Sequence, residues 1–95
     1  MEPMDTNIIE EKLVELPGWT FASNKLSKEF VHTNFRDAIS FIVRLSFEAE
    51  ALNHHPELEN VYNRVQVSLT THDAGNKVTS KDFTLASAIE SISHV

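Results

Sequence analysis

The sequence predicts an α+β fold: a four-stranded antiparallel sheet with helices packed on one face, in the order α-β-β-α-β-β-α. Three observations lead there. Two stretches read as strand pairs joined by short turns. Three stretches carry apolar residues at helical spacing. Only two glycines and three prolines punctuate 95 residues, which leaves little room for long irregular loops. Hairpin-joined strands argue for an antiparallel sheet, and amphipathic helices need one of its faces to cover.

The elements follow in order. Residues 1–5 read as a disordered leader to a single domain spanning 1–95. Asp5 or Thr6 can N-cap a first helix, with Ile9, Leu13 and Leu16 at i, i+4, i+7, ended by Pro17-Gly18. Trp19-Thr20-Phe21 alternates like a strand, Ser23-Asn24 reads as a turn, and Leu26 to Val31 supplies the return strand, making 19–32 a hairpin. The longest helix is expected over about 35–53. Phe35, Ala38, Ile39, Ile42, Leu45, Ala49 and Leu52 form one stripe, and Val43, Phe47 and Ala51 a second, about 100° around. So wide an apolar arc fits either a helix seated deeply on the sheet or one whose second stripe meets another subunit. Pro56 stops this helix, because the residue before a proline is pushed out of the helical region. Residues 57–62 and 64–71 read as a second hairpin turning near Asn63, with Val65, Val67 and Leu69 on one face. After a loop at 73–76, Thr79-Ser80-Lys81-Asp82 has the shape of a capping box, with Asp in place of Glu. It opens a last helix carrying Leu85, Ala88, Ile89 and Ile92 on one face.

Composition removes whole classes of function. A chain of this size buries about 65% of its extended surface, enough for one core without staples. No cysteine is present, which excludes disulfides, Cys-ligated zinc, iron–sulfur clusters and thiol nucleophiles. The net charge is −6, so direct nucleic-acid binding is not expected, since that needs a basic footprint. No apolar stretch approaches a membrane span, and Met1-Glu2-Pro3-Met4-Asp5 lacks the basic-then-apolar pattern of a signal peptide. The chain therefore reads as cytoplasmic, with no membrane partner.

Histidine is left to carry chemistry. There is no serine elbow, no phosphate-binding glycine loop and no HExxH. Of five histidines, His94 sits one residue from the end and is expected to fray. His32 lies at a strand end and reads as solvated. His54-His55-Pro56 closes the long helix. There the two rings either cap the last carbonyls or, turned by Pro56, face one cleft. His72 lies where the final strand opens into a loop, either exposed there or part of a site. Three imidazoles can bind zinc, but no known zinc spacing is present and no metal is expected. Without metal they suit proton transfer near neutral pH.

The run Glu50-Ala51-Leu52-Asn53-His54-His55-Pro56, followed at intervals by Tyr62, His72 and Asp82, closely resembles the signature of the pterin-4a-carbinolamine dehydratases. Trp19 after Pro17-Gly18, Phe35-Arg36-Asp37-Ala38, Asn60-Val61-Tyr62-Asn63 and Thr70-Thr71-His72-Asp73 support it, so the resemblance covers about residues 17–92. One departure stands out. The stretch Ala74-Gly75-Asn76-Lys77-Val78-Thr79 is one residue longer than the family's usual Gly-rich turn.

The resemblance implies a four-stranded antiparallel sheet, a homodimer or homotetramer, and removal of water from 4a-hydroxytetrahydropterin to give quinonoid dihydropterin. That product is recycled to the reduced cofactor of aromatic amino acid hydroxylases. The pterin is then the substrate, and no cofactor is required. By the same resemblance, His54 and His72 form an acid–base pair on the 4a-hydroxyl, and His55 orients the pterin and serves as a base. Pro56, Thr71 and Asp73 join the three histidines in binding. Asp82 orients a histidine or simply caps its helix. Trp19 walls the pterin ring or sits in the core. Glu50 sets a histidine tautomer or makes a surface contact. Some relatives are binding modules, such as a stabiliser of a transcription factor dimer or enzyme-assembly factors. The competing expectation is therefore a non-catalytic oligomeric module using the helix stripe.

Overall fold

The structure, a computed structural model, describes residues 2–93; the reading of His94 lies outside the described residues. It contains α1 (Thr6–Leu13), β1 (Thr20–Ala22), β2 (Lys25–Val31), α2 (Phe35–Ala51), β3 (Glu57–Val61), β4 (Arg64–Leu69) and α3 (Ser80–Ser93), with one 3-10 turn at His72–Ala74. The sheet is wholly antiparallel, in the order β1-β2-β4-β3. The expected α-β-β-α-β-β-α order and fold class are what is found.

Period-two patterning builds the core. Leu26 and Phe30 of β2 and Val65, Val67 and Leu69 of β4 are buried in one cluster with Phe41, Leu45 and Ala49 of α2 and Leu85 and Ile89 of α3. The alternate residues stay polar: Ser27 bonds Ser68 at 3.0 Å, Arg64 bonds Glu29 at 2.8 Å, and Lys25 bonds Glu57 at 2.7 Å. One face of the sheet is therefore covered and the other is wet. Ser23 and Asn24 both take positive φ, 53° and 61°, as the tight turn of a two-residue hairpin requires.

Several boundaries and faces differ from expectation. α1 ends at Leu13, before Leu16; tight turns then carry Leu16 into the core at 7% exposure, which leaves Val14 in solvent. Met4, placed in the leader, donates its backbone N–H to Val78 O at 2.9 Å and packs on the core. On α2 the buried stripe is Ala38, Phe41, Leu45 and Ala49. Phe41 was not expected there, whereas Phe35, Ile39 and Leu52 are exposed. Apolar periodicity finds the arc, but only the partner elements choose which part of a wide arc is covered. Phe35, Ile39, Val43 and Phe47 form a solvent-facing row at i+4 spacing. β4 ends at Leu69 rather than Thr71, and Thr71 makes an isolated bridge to Lys77.

His32 departs from the solvated reading. Its ring lies 4.9 Å from Phe41, and its buried Nε2 has no partner among the described residues. Burial first, then the Arg44 guanidinium, push its pKa below the ordinary 6.5; Asp37 opposes them. The folded chain thus holds this proton less tightly than the unfolded chain does. Its contribution to stability is level above pH 6.5 and falls as pH drops from 6.5 toward the lowered folded value. His32→Phe should flatten the fall in urea-denaturation stability between pH 7.5 and 5. An unchanged slope would show that His32 does not contribute.

Candidate active site

The site forms where α2 ends, β4 ends and α3 begins. Leu52 caps α2 directly after its last residue, Ala51, and Asn53 takes φ 50°. Asn53 N–H bonds Glu50 O at 3.1 Å and His54 N–H bonds Ala49 O at 3.0 Å. This is a Schellman closure with asparagine in the left-handed position. The helix therefore ends five residues before Pro56, and Asn53, not the proline, turns the chain. The capping role considered for the histidine rings is filled by backbone N–H groups. Both rings are free to bond elsewhere.

His54 turns inward, only 8% exposed, and its Nε2 lies 2.6 Å from Asp82 Oδ1. Asp82 is fully buried in the first turn of α3. Its Oδ2 accepts from Thr71 Oγ1 at 2.8 Å and from Thr79 N–H at 2.9 Å. Lys81 N–H bonds Thr79 Oγ1 at 3.2 Å, which completes the capping box. The two readings of Asp82, helix cap and histidine partner, are thus one structure: one carboxylate oxygen caps and the other holds the ring. Thr79 Oγ1 lies 2.6 Å from Thr71 Oγ1, tying the end of β4 to the start of α3.

The other two imidazoles are more exposed. His55 Nε2 bonds Glu50 Oε1 at 2.7 Å in solvent. His72 opens the 3-10 turn, and its Nδ1 bonds Asn76 Oδ1 at 2.9 Å. Gly75 and Asn76 take φ 74° and 59°, folding the longer loop back so that the asparagine reaches the ring. Each partner oxygen is an acceptor, so each ring donates through the bonded nitrogen. The unbonded atoms are Nδ1 of His54, Nδ1 of His55 and Nε2 of His72. In a neutral ring each of these accepts a proton; in a charged ring each donates one. Among the described residues, no group of three or more His, Asp or Glu side chains is arranged to hold a metal ion.

All three histidines line one open cleft of about 240 Å³, with Asn53, Thr70, Thr71, Asp73 and Lys81. Thr71 and Asp73, both expected among the binding residues, are on the lining. Pro56 is not on the lining, because the chain has already turned toward β3. Trp19 is not there either. It is 5% exposed, edge-on to Phe30 at 6.1 Å, and its indole N–H donates to Glu90 Oε1 at 2.8 Å. Glu90 lies eight residues along α3 from Asp82, about 12 Å away along the helix axis. A buried indole needs an acceptor, and Trp19 finds one at the far end of α3. Sequence reading missed Asn53, Thr70, Asn76 and Lys81. Asn53 carried a signal, since asparagine directly after a helical pattern is a common left-handed cap.

The chain matches the family described as Pterin 4 alpha carbinolamine dehydratase over residues 2–92. A protein of Opitutus terrae named "Putative pterin-4-alpha-carbinolamine dehydratase" is 56% identical over 87 residues, covering 92% of this chain and 90% of its own. One of the same name from Christiangramia forsetii is 45% identical over 92 residues, covering 97% and 94%. The crystal structure of a transcriptional coactivator/pterin dehydratase from Brucella melitensis superposes with a TM-score of 0.91 at 33% identity, covering 97% of this chain and 99% of that one. A pterin dehydratase-like protein identified as a RuBisCO assembly factor shares the fold, with a TM-score of 0.64 at 14% identity over 79% of this chain and 86% of its own.

Proposed function

Because the chain belongs to the pterin 4 alpha carbinolamine dehydratase family, we propose that it removes water from 4a-hydroxytetrahydropterin by histidine acid–base catalysis, giving quinonoid dihydropterin. The observation that carries this reading is the convergence of His54, His55 and His72 on one cleft, each with one nitrogen held and one unbonded.

Hydroxide is a poor leaving group, so the 4a-oxygen takes a proton as the C4a–O bond breaks and leaves as water. The C4a–N5 double bond forms as the ring N5–H proton passes to a base. Protons and electrons balance without a redox partner. We assign the proton on the 4a-hydroxyl to the pair His54 and His72, acting through Nδ1 and Nε2. His55 orients the pterin and acts as base for the ring proton. Asp73 accepts from the amino-pyrimidine N–H groups. Asp82, Glu50 and Asn76 are positioning residues that hold the tautomers. The test is the dehydration rate of freshly generated 4a-hydroxytetrahydropterin. Acceleration by the folded wild type supports the proposal, and its absence overturns it.

The exposed row on α2 supports self-association as part of this reading, since contiguous apolar patches on a surface mark interaction sites. Phe47, 69% exposed, is the most exposed side chain of the row. Phe47→Asp should weaken assembly at least tenfold, given about 1.5–3 kcal/mol for burying a phenylalanine. Sedimentation of wild type and variant measures it, and a strictly monomeric wild type at micromolar concentration would refute the assignment. The binding-module alternative rests on the same row, but it gives no reason for three histidines to share a cleft.

A further inference from the structure

We propose that Thr71 is a positioning residue for His54, acting through Asp82 and not through a hydroxyl contact with the pterin. The proposal rests on the dehydratase reading and adds to it how the buried carboxylate behind His54 is itself held.

Counting protons fixes the direction of a chain of bonds. Thr71 Oγ1 donates to Asp82 Oδ2 at 2.8 Å, since an ionised carboxylate only accepts. A hydroxyl has one proton, so the 2.6 Å bond between Thr71 Oγ1 and Thr79 Oγ1 is donated by Thr79. Thr79 Oγ1 in turn accepts the Lys81 N–H at 3.2 Å. The chain therefore runs from the Lys81 backbone through Thr79 and Thr71 to Asp82. His54 Nε2 meets the other carboxylate oxygen at 2.6 Å. Water is kept from the chain: Thr79 and Asp82 are fully buried, and Thr71 is 3% exposed. Hydrogen bonds to a charged acceptor are stronger than neutral ones, and bonds in series polarise one another. His54 thus faces a carboxylate whose second oxygen is engaged and whose orientation is fixed.

Thr71 is held so that its hydroxyl serves this one purpose. Its backbone N–H bonds Lys77 O at 3.0 Å, and its carbonyl accepts from Ala74 N–H and Asn76 N–H, both at 3.1 Å. A β-branched side chain on so fixed a backbone has few rotamers open to it. Thr71 lines the histidine cleft, but its single hydroxyl proton is committed to Asp82 and is not free for a substrate. The backbone bonds of Thr71 also seat the loop whose Asn76 holds His72. Removing the hydroxyl alone therefore disturbs the support of His54 and leaves that of His72 in place.

Thr71→Val keeps the side-chain shape and deletes the hydroxyl. It should lower kcat for dehydration about tenfold with little change in KM, as expected for losing a hydrogen bond to a charged group. Thr71→Ser, which restores the donor, should recover most of that loss, and Thr71→Cys, a weak donor, should fall between the two. Thr79→Val deletes a buried hydroxyl one bond further from Asp82. It should cost similar stability, read from melting curves, but less kcat. In a His54→Gln background, Thr71→Val should lower kcat little further, because its effect passes through the ring. The side-chain nitrogen NMR signals of His54 give a readout independent of turnover; they should move in Thr71→Val and return in Thr71→Ser.

A raised KM with kcat unchanged, or a full additional loss in the His54→Gln background, would mean a substrate contact and overturn the proposal. Equal kcat losses in Thr71→Val and Thr79→Val, or His54 signals unmoved by Thr71→Val, would reduce Thr71 to a structural role and overturn it as well. If Thr71→Val does not fold, the serine and cysteine variants decide: equal rates and equal His54 signals in the two would overturn it. Failure of the folded wild type to dehydrate its substrate would remove the dehydratase reading, and the His54 signals alone would then decide whether Thr71 holds the ring.

Discussion

His54→Gln is expected to slow dehydration of 4a-hydroxytetrahydropterin by about 10²–10⁴-fold, the usual contribution of one positioned acid–base group. Glutamine is the informative replacement. Its amide N–H can still donate to Asp82 Oδ1, where His54 Nε2 now sits 2.6 Å away, so the buried carboxylate keeps a donor. Alanine would leave that oxygen unpaired and mix a folding defect into the kinetics. The rate is to be read beside a melting curve close to that of the wild type. His72→Gln provides the second arm. His72 is exposed, and among the described residues its ring is held by Asn76 alone, so its loss should spare the fold. The double variant separates two mechanisms. If either histidine can serve the 4a-hydroxyl in the other's absence, the double variant falls far below each single one. Nearly equal losses in all three would mean that the pair acts as a unit. A His54→Gln variant with wild-type rate would remove His54 from the mechanism.

Asp82→Ala is expected to produce the largest stability loss of any single site substitution. Asp82 is fully buried and receives three hydrogen bonds, from His54, Thr71 and Thr79. Truncation leaves those donors facing an apolar void, so the cost is that of breaking a buried polar cluster, about 3–5 kcal/mol. For a domain of this size, that lowers the melting temperature by roughly 12 °C or more at fixed protein concentration. A drop under 5 °C would show that the cluster does not hold the fold. Asp82→Asn tests the chemistry separately. With an amide N–H turned toward the ring, His54 must present a lone pair at Nε2, which moves its proton to Nδ1. Giving up that Nδ1 proton would leave an imidazolate, so the ring can no longer serve as the acid for the 4a-oxygen, and the rate should fall further than stability alone explains.

What could be read ahead of the structure followed from local chemistry. The hairpin at 19–32, the turn at Ser23-Asn24 and the capping box at Thr79–Asp82 each rest on neighbours in sequence, and each is present. The three histidines were legible as residue types in a pattern. Their meeting was implied by the family resemblance, not by any local pattern. His54 and His72 are eighteen residues apart, and β3 and β4 lie between them; only the pairing of β4 with β2 and the closure of α2 at Asn53 bring the rings to one cleft. Trp19 shows the opposite failure. A strand tryptophan near the resembling motif was a candidate wall for the ring, but its indole is committed to Glu90 at the other end of α3.

By itself, the sequence determined the element types and their order, the absence of thiol chemistry and the concentration of titratable chemistry in histidine, because period, cap and composition are properties of neighbouring residues or of simple counts. Tertiary structure decided which stripe of α2 is covered, which nitrogen of each imidazole stays unbonded, and that one carboxylate both caps α3 and holds His54. Those outcomes depend on distances between residues far apart in the chain, and no local pattern carries such distances.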